Sequence, residues 1–115
     1  MLIRSQDKTI LVNVDNVFNI AIRDINGATA IYVGSLSSCC IIAEYSTKAK
    51  AMKVLDMIQE AYAEYKITCT FLTGFTGHRA IVESNDICVN GFKELTENFK
   101  KNMVFQMPED SEVEV

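Results

Sequence analysis

The sequence lacks the residue spacings that mark common catalytic sites. It contains one histidine, His78, so a Ser-His-Asp or Cys-His pair would have to use that residue. Its acidic side chains are scattered, and none is spaced as a metal site or as a glycosidase carboxylate pair on one element. We therefore expect a protein that is not an enzyme.

The four cysteines also lack metal-site spacing, because no C-x-x-C pair is present. Cys39 and Cys40 are adjacent, and adjacent residues of a strand point to opposite faces, so the two thiolates are poorly placed to share one ion. The sequence favours small buried cysteines and predicts neither a metal site nor a cofactor.

No apolar run approaches the roughly 18 residues of a membrane span, and the first residues contain no signal-peptide core. We therefore expect a cytoplasmic protein with reduced thiols and no membrane partner. The chain has 11 basic and 15 acidic residues, a net charge of −4, and without four acids near its carboxyl end it is about neutral. A general nucleic-acid binder needs clustered Lys and Arg, so that class is disfavoured.

One long segment, residues 46–66, has a helical period. Its apolar side chains recur at three- and four-residue steps and so share one face. No glycine or proline interrupts the run, and Ser46 or Thr47 can cap its amino end. The predicted stripe consists of Ala51, Val54, Leu55, Ile58, Tyr62 and Tyr65.

The first 45 residues read as strands. Short β-branched runs at 2–4 and 9–14 are followed by an alternating run from Val17, and residues 28–33 and 39–45 continue the pattern. Asn26-Gly27 stands between two of these runs and predicts a tight hairpin, since both residues tolerate positive φ. The sequence therefore predicts an antiparallel β-meander packed on the long helix.

Beyond the helix, the sequence predicts an added hairpin formed by residues 67–75 and 79–83, with a turn near 74–78. A short C-terminal helix is expected over 91–101, followed by a last strand over 103–107. The fold class is thus α+β. Residues 1–108 form one domain, and 109–115 are expected to be a disordered acidic tail.

The long helix carries more apolar residues than one buried face requires. Either it lies between the sheet and the second half of the chain, or its back face contacts another subunit or a partner protein. The residues predicted to bind that partner are Met52, Met57, Tyr62 and Tyr65.

An alternative site lies in the GFTGHR stretch. Gly77 would bring backbone amides close to an anion, while His78 and Arg79 would supply donors, as in an oligomeric nucleotide-binding protein. The stretch lacks the Lys and Ser/Thr of a phosphate-binding P-loop, and a plain turn explains the same composition.

Three blocks, MLIRSQDKTILVNVDNV, AEYSTKAKAMKVLDMIQEAY and VFQMPED, resemble a group of small proteins of Clostridia and their prophages. Residues 67–101 depart from that pattern and resemble an insertion. The resemblance carries no catalytic residue and implies a bacterial or phage setting. It supports the hypothesis of a non-catalytic accessory protein that binds a host protein, such as a counter-defence inhibitor of the anti-CRISPR type. A small-ligand binder is the alternative.

Overall fold

The computed structural model describes residues 1–17, 19–34, 38–77, 97 and 100–115, and for residues 71–77 it describes the backbone alone. Two three-stranded sheets and one long helix, α1 (Lys48–Gly77), make up this part of the chain. Helical backbone also occurs at residues 97 and 100–102, which overlaps the C-terminal helix predicted over 91–101. The α+β class predicted from the sequence is therefore confirmed.

The first sheet has the order β2-β1-β6, formed by β1 (Leu2–Arg4), β2 (Leu11–Asn13) and β6 (Val104–Gln106). Strand β1 pairs antiparallel with β2 and parallel with β6, with Ile3 opposite Phe105. The last strand was predicted from its apolar run, and the fold brings it beside the first strand of the chain.

The second sheet is the predicted meander of β3 (Asn19–Ile25), β4 (Ala28–Gly34) and β5 (Cys39–Tyr45). Its first turn is the expected hairpin, with Ile25 paired to Ala28. Asn26 and Gly27 have φ values of 50° and 83°, the positive values that a two-residue hairpin of this type requires.

Gln6 joins the two sheets along the outer edge of β5. Its backbone N–H donates to the Ile42 carbonyl at 2.8 Å. Its side-chain amide donates to the Glu44 carbonyl at 3.2 Å, and its side-chain oxygen accepts from the Glu44 N–H at 3.0 Å. These bonds satisfy backbone groups of an edge strand that would otherwise be open to pairing.

Helix α1 packs against β3, β4 and β5. Thr47 caps its amino end, because the Thr47 hydroxyl accepts from the Lys50 N–H at 3.3 Å. The core cluster of fully buried side chains combines both sheets, the helix and the carboxyl end: Met1, Ile3, Ile31, Val33, Ile42, Ala43, Tyr45, Ala51, Val54, Ile58, Met107 and Val113.

The helix is longer than predicted, so the proposed strand at 67–75 is wrong. All 30 residues from Lys48 to Gly77 are helical. Thr68 and Thr70, whose β-branched side chains favoured a strand, donate their hydroxyl protons to the carbonyls of Glu64 at 2.9 Å and Lys66 at 3.0 Å. Such i−4 bonds satisfy the hydroxyls within a helix.

The prediction of a disordered tail is also wrong. Residues Asp110–Glu112 form a 3-10 turn, and Val113 is buried with 5% exposure. Tyr45 donates its hydroxyl proton to the Pro108 carbonyl at 2.8 Å, and burial raises the pKa of that phenol. The tail is ordered because Val113 packs into the same core as the helix.

Candidate protein-binding surface

The buried side of α1 is the stripe predicted from the period. Ala51 and Val54 are completely buried, and Ile58 retains 5% exposure. Leu55, Tyr62 and Tyr65 are partly buried against the same core. The stripe faces the meander, so the remaining helix surface is open toward solvent among the described residues.

The four residues predicted to bind a partner are not on one patch. Met52 is 53% exposed and Met57 is 37% exposed, whereas Tyr62 and Tyr65 pack toward the core. Five residues of α-helix turn through about 140°, so the two methionines lie on opposite edges of the solvent-facing side. Any partner that contacts both must also contact the surface between them.

A row of carboxylates occupies that intervening surface. Asp56, Glu60 and Glu64 are exposed and follow each other at four-residue steps. Each step rises about 6 Å along the axis. Like charges at this spacing destabilise a helix by roughly 0.2–0.5 kcal/mol per pair, so the row does not serve helix stability. This spacing is visible in the sequence, where such positions indicate a solvated helix face.

The exposed surface extends into the second half of the helix. Ile67 is 63% exposed, the most exposed large apolar side chain described on α1. We refer to the following six residues as the open face of α1: Met52, Asp56, Met57, Glu60, Glu64 and Ile67.

Lysines near the amino end of the helix are engaged elsewhere. Lys50 Nζ donates to the Asp110 carbonyl at 2.9 Å and lies 3.2 Å from Asp110 Oδ2. Lys53 Nζ donates to the Glu114 carbonyl. Among the described residues, Lys50–Asp110 is the only salt bridge, so the carboxylate row on the open face has no intramolecular ion pair there.

Asp110 holds the start of the helix from the carboxyl end of the chain. Its Oδ1 accepts from the Ser46 N–H at 2.7 Å and from the Ser46 hydroxyl at 3.0 Å. The backbone bond from Ser46, together with the hydroxyl of Ser46 and the ammonium of Lys50, keeps the pKa of Asp110 below its ordinary value. We refer to these contacts of Asp110 with Ser46 and Lys50 as the clamp. The clamp pairs the positive charge of Lys50 with the Asp110 carboxylate.

Tyr62 and Tyr65 form a stacked pair of rings. Their ring centroids are 6.4 Å apart with an interplanar angle of 29°, and Lys66 Nζ lies 5.4 Å from the Tyr62 centroid. The hydrogen bond with Cys69 raises the pKa of Tyr65, and the bond with Tyr62 raises the pKa of Lys66. Because of these internal contacts, the two tyrosines contribute to the packing of the helix more than to an exposed binding surface.

A cleft of about 260 Å³ lies where the β1–β2 turn meets β5, lined in part by Ser5, Asp7, Ile41 and Glu44. Asp7 accepts from Ser5 Oγ at 2.7 Å and from Thr9 Oγ1 at 2.7 Å. The bonds from Thr9 and Ser5 lower the pKa of Asp7 to about 2, so it is ionised at neutral pH. Carboxylates in the cleft wall repel a phosphate group, so this cleft does not suit a nucleotide.

The GFTGHR hypothesis stays a prediction, because two of its three site residues are not described by the structure. Gly77 is the last residue of α1, so it is not part of the predicted turn. His78 and Arg79 lie outside the described residues, as does the predicted strand at 79–83. Two other arginines are engaged locally: Arg4 bonds the Lys8 carbonyl, and Arg23 lies 4.7 Å over the Tyr32 ring.

Within the described ranges, no group of three or more His, Cys, Asp or Glu side chains is placed to hold a metal ion. In those ranges, no helix is both long enough and apolar enough to span a membrane. No protein-family model, curated protein or solved structure matches this chain. Any assignment of function therefore depends on the surface itself.

Proposed function

We propose that this protein is a non-catalytic accessory protein that acts by binding another protein through the open face of α1. The observation that carries the proposal is the exposure of Met52 and Ile67 on the helix that organises the core. Where the helix packs on the meander, its other side is presented rigidly, so a partner can bind there with little loss of conformational entropy.

Among the described residues, the exposed apolar side chains of α1 do not belong to the core cluster. Ala51, Val54 and Ile58 already bury the helix against the meander. Met57 is only partly shielded, and methionine suits a contact surface because its flexible thioether adapts to irregular shapes. Exposed apolar side chains grouped beside polar ones are typical of protein-interaction surfaces.

The resemblance to clostridial and prophage proteins gives this proposal a setting. In a bacterial cell that carries a phage or mobile element, a small binding protein can act by occupying a component of host defence. An inhibitor of that kind, comparable with anti-CRISPR proteins, is our proposal for the biological role, and a cytoplasmic location follows from it.

The experiment is affinity capture from a clostridial lysate with three forms of the tagged protein. The test variant changes Met52→Ser and Ile67→Ser on the open face. The control changes Leu11→Ser on β2 of the other sheet, where Leu11 is 58% exposed, comparable with Met52 at 53%. Circular dichroism establishes first that all three forms are folded.

We expect the wild type and the Leu11→Ser control to retain the same identified protein in stoichiometric amounts, and the double variant to lose it. Truncating two interface side chains typically costs more than about 1 kcal/mol each when they are anchors. Equal capture by the double variant would show that binding uses another surface, and capture of nothing by any form would refute the proposed function.

A further inference from the structure

We infer that the partner docks on the open face of α1 with a basic protein surface, in which Lys or Arg side chains meet the row formed by Asp56, Glu60 and Glu64. This inference rests on the proposed function and specifies the chemistry of the partner. Two independent features lead to it, the exposed apolar side chains at the edges of the face and the uncompensated charge at its centre.

The open face carries only negative charge, because the lysines of α1 nearby contact other parts of the molecule. Lys50 and Lys53 reach the carboxyl-terminal segment, where they bond the carbonyls of Asp110 and Glu114. Lys66 lies over the ring of Tyr62, on the other side of the helix from the row. Three carboxylates therefore remain on the open face, while Lys53, which is exposed on the same side of the helix, is bonded to the Glu114 carbonyl.

The carboxylates gain no stabilisation from the helix dipole or from i,i+4 ion pairs. The first turn of α1 contains no acidic residue, so the acids do not complement the positive end of the helix dipole. They begin at Asp56, and each is followed four residues later by another acid or by Thr68 where Lys would stabilise the helix. An external cation would remove the repulsion that the isolated protein retains.

The same row argues against a second copy of this chain as the occupant. A two-fold contact between two open faces would bring the carboxylates of both copies together in a desolvated interface. Unpaired buried charge is strongly unfavourable, at several kcal/mol for each ion. A basic partner instead gains attraction at every carboxylate, and Met52 and Met57 supply apolar contact on either side.

The test uses a variant that removes charge while keeping shape, Asp56→Asn with Glu60→Gln and Glu64→Gln. The matched control removes the same number of charges elsewhere, by Glu44→Gln, Glu97→Gln and Glu114→Gln, all at exposed positions. The probe is a clostridial lysate divided on heparin into a retained fraction, rich in basic proteins, and an unretained fraction. The captured protein is identified, purified and titrated.

We expect the wild type and the control to capture the protein from the heparin-retained fraction, with an affinity that falls as salt rises from about 50 to about 500 mM. The amide variant should bind roughly tenfold more weakly, and its affinity should depend less on salt. The Met52→Ser, Ile67→Ser variant separates the two hypotheses, since it tests the surface without altering its charge.

Three results are decisive. An amide variant that binds as tightly as the wild type, while the serine variant does not bind, overturns the basic partner and leaves the proposed function intact. Capture only from the unretained fraction does the same. Capture of no stoichiometric protein from either fraction defeats the proposed function, and the inference falls with it.

Discussion

The two halves of helix α1 differ in what surrounds them. In the first half, Ala51, Val54 and Ile58 are buried under the meander, and Asp110 clamps the helix start through Ser46 and Lys50. Beyond Tyr65 no described helix residue belongs to the core cluster, and Ile67 is largely exposed. One continuous helix therefore combines an anchored segment with a segment that presents its surface.

The difference shows how a helix can exceed the sheet that supports it. At 1.5 Å per residue the 30 residues of α1 span about 45 Å. The longest strands have seven residues and span about 24 Å. Packing against the meander can order only part of such a helix, and among the described residues the remainder is held by backbone hydrogen bonds and local side-chain pairs.

The sharpest test of this comparison applies one substitution to each half. Ile58→Ala should lower the free energy of unfolding by about 2–5 kcal/mol, because it leaves a cavity in the core. Ile67→Ala should change it by less than about 0.5 kcal/mol, because the side chain is exposed and alanine favours helix. Urea denaturation of both variants measures the two values, and similar losses would mean that the second half is buried as well.

The clamp on the first half predicts a smaller effect that depends on pH. The pKa of Asp110 is lowered from its ordinary value of 3.8, so folding favours the ionised carboxylate. Its contribution is complete above that ordinary value and is lost as pH falls toward the lower pKa of the folded state. Asp110→Asn should therefore reduce the melting temperature by a few degrees at neutral pH and flatten its fall in acid.

A control for the clamp is provided by Asp7, whose pKa is lowered to about 2 by the bonds from Thr9 and Ser5. Asp7→Asn should also flatten the acid dependence, since the sign of its shift is the same. Hydrogen exchange separates the two carboxylates, because only Asp110→Asn should speed exchange in the first turns of α1. Unchanged amide exchange in the first turns of α1 in Asp110→Asn would show that Asp110 does not stabilise the start of the helix.

The smallest predicted effect concerns the second half. Thr68→Ala and Thr70→Ala remove hydroxyls that bond carbonyls one turn earlier, and they also replace β-branched residues by the best helix former. We expect unfolding free energies within about 0.5 kcal/mol of the wild type and slower amide exchange after Lys66. Faster exchange in this region would show that the threonine bonds hold the helix extension together.

Much of the fold could be predicted because its signals are local. The Asn26-Gly27 turn requires positive φ, and the alternation along β3 follows from the geometry of a half-covered strand. The stripe through Val54 and Ile58 follows from the period of the helix. Such features depend on neighbours within a few residues, so they appear in the sequence directly.

The errors arose where distant residues decide the outcome. Residues 109–115 are acidic and appeared disordered, but Val113 enters the core and Asp110 bonds Ser46. The end of the helix was predicted near Lys66, because Ile67, Thr68 and Thr70 have strand propensity. In both cases tertiary contacts or i−4 bonds outweigh a weak local preference, and composition does not report them.

The candidate surface was predicted only in part. The excess of apolar residues on the helix indicated exposed side chains, and Met52 and Met57 are exposed. Tyr62 and Tyr65 were grouped with them, yet these rings pack toward the core beside Lys66. Which helix residues are exposed depends on which side of the helix the sheet covers. The hydrophobic pattern alone is compatible with more than one covered side.

The sequence by itself determined the antiparallel meander, the start and buried stripe of α1, and the four-residue spacing of Asp56, Glu60 and Glu64, because each follows from local geometry. Only the tertiary structure decided that β6 pairs parallel with β1, that the carboxyl end joins the core, and that Lys50 and Lys53 are withdrawn from the open face. These outcomes join residues far apart in the chain, where packing and charge pairing act across space.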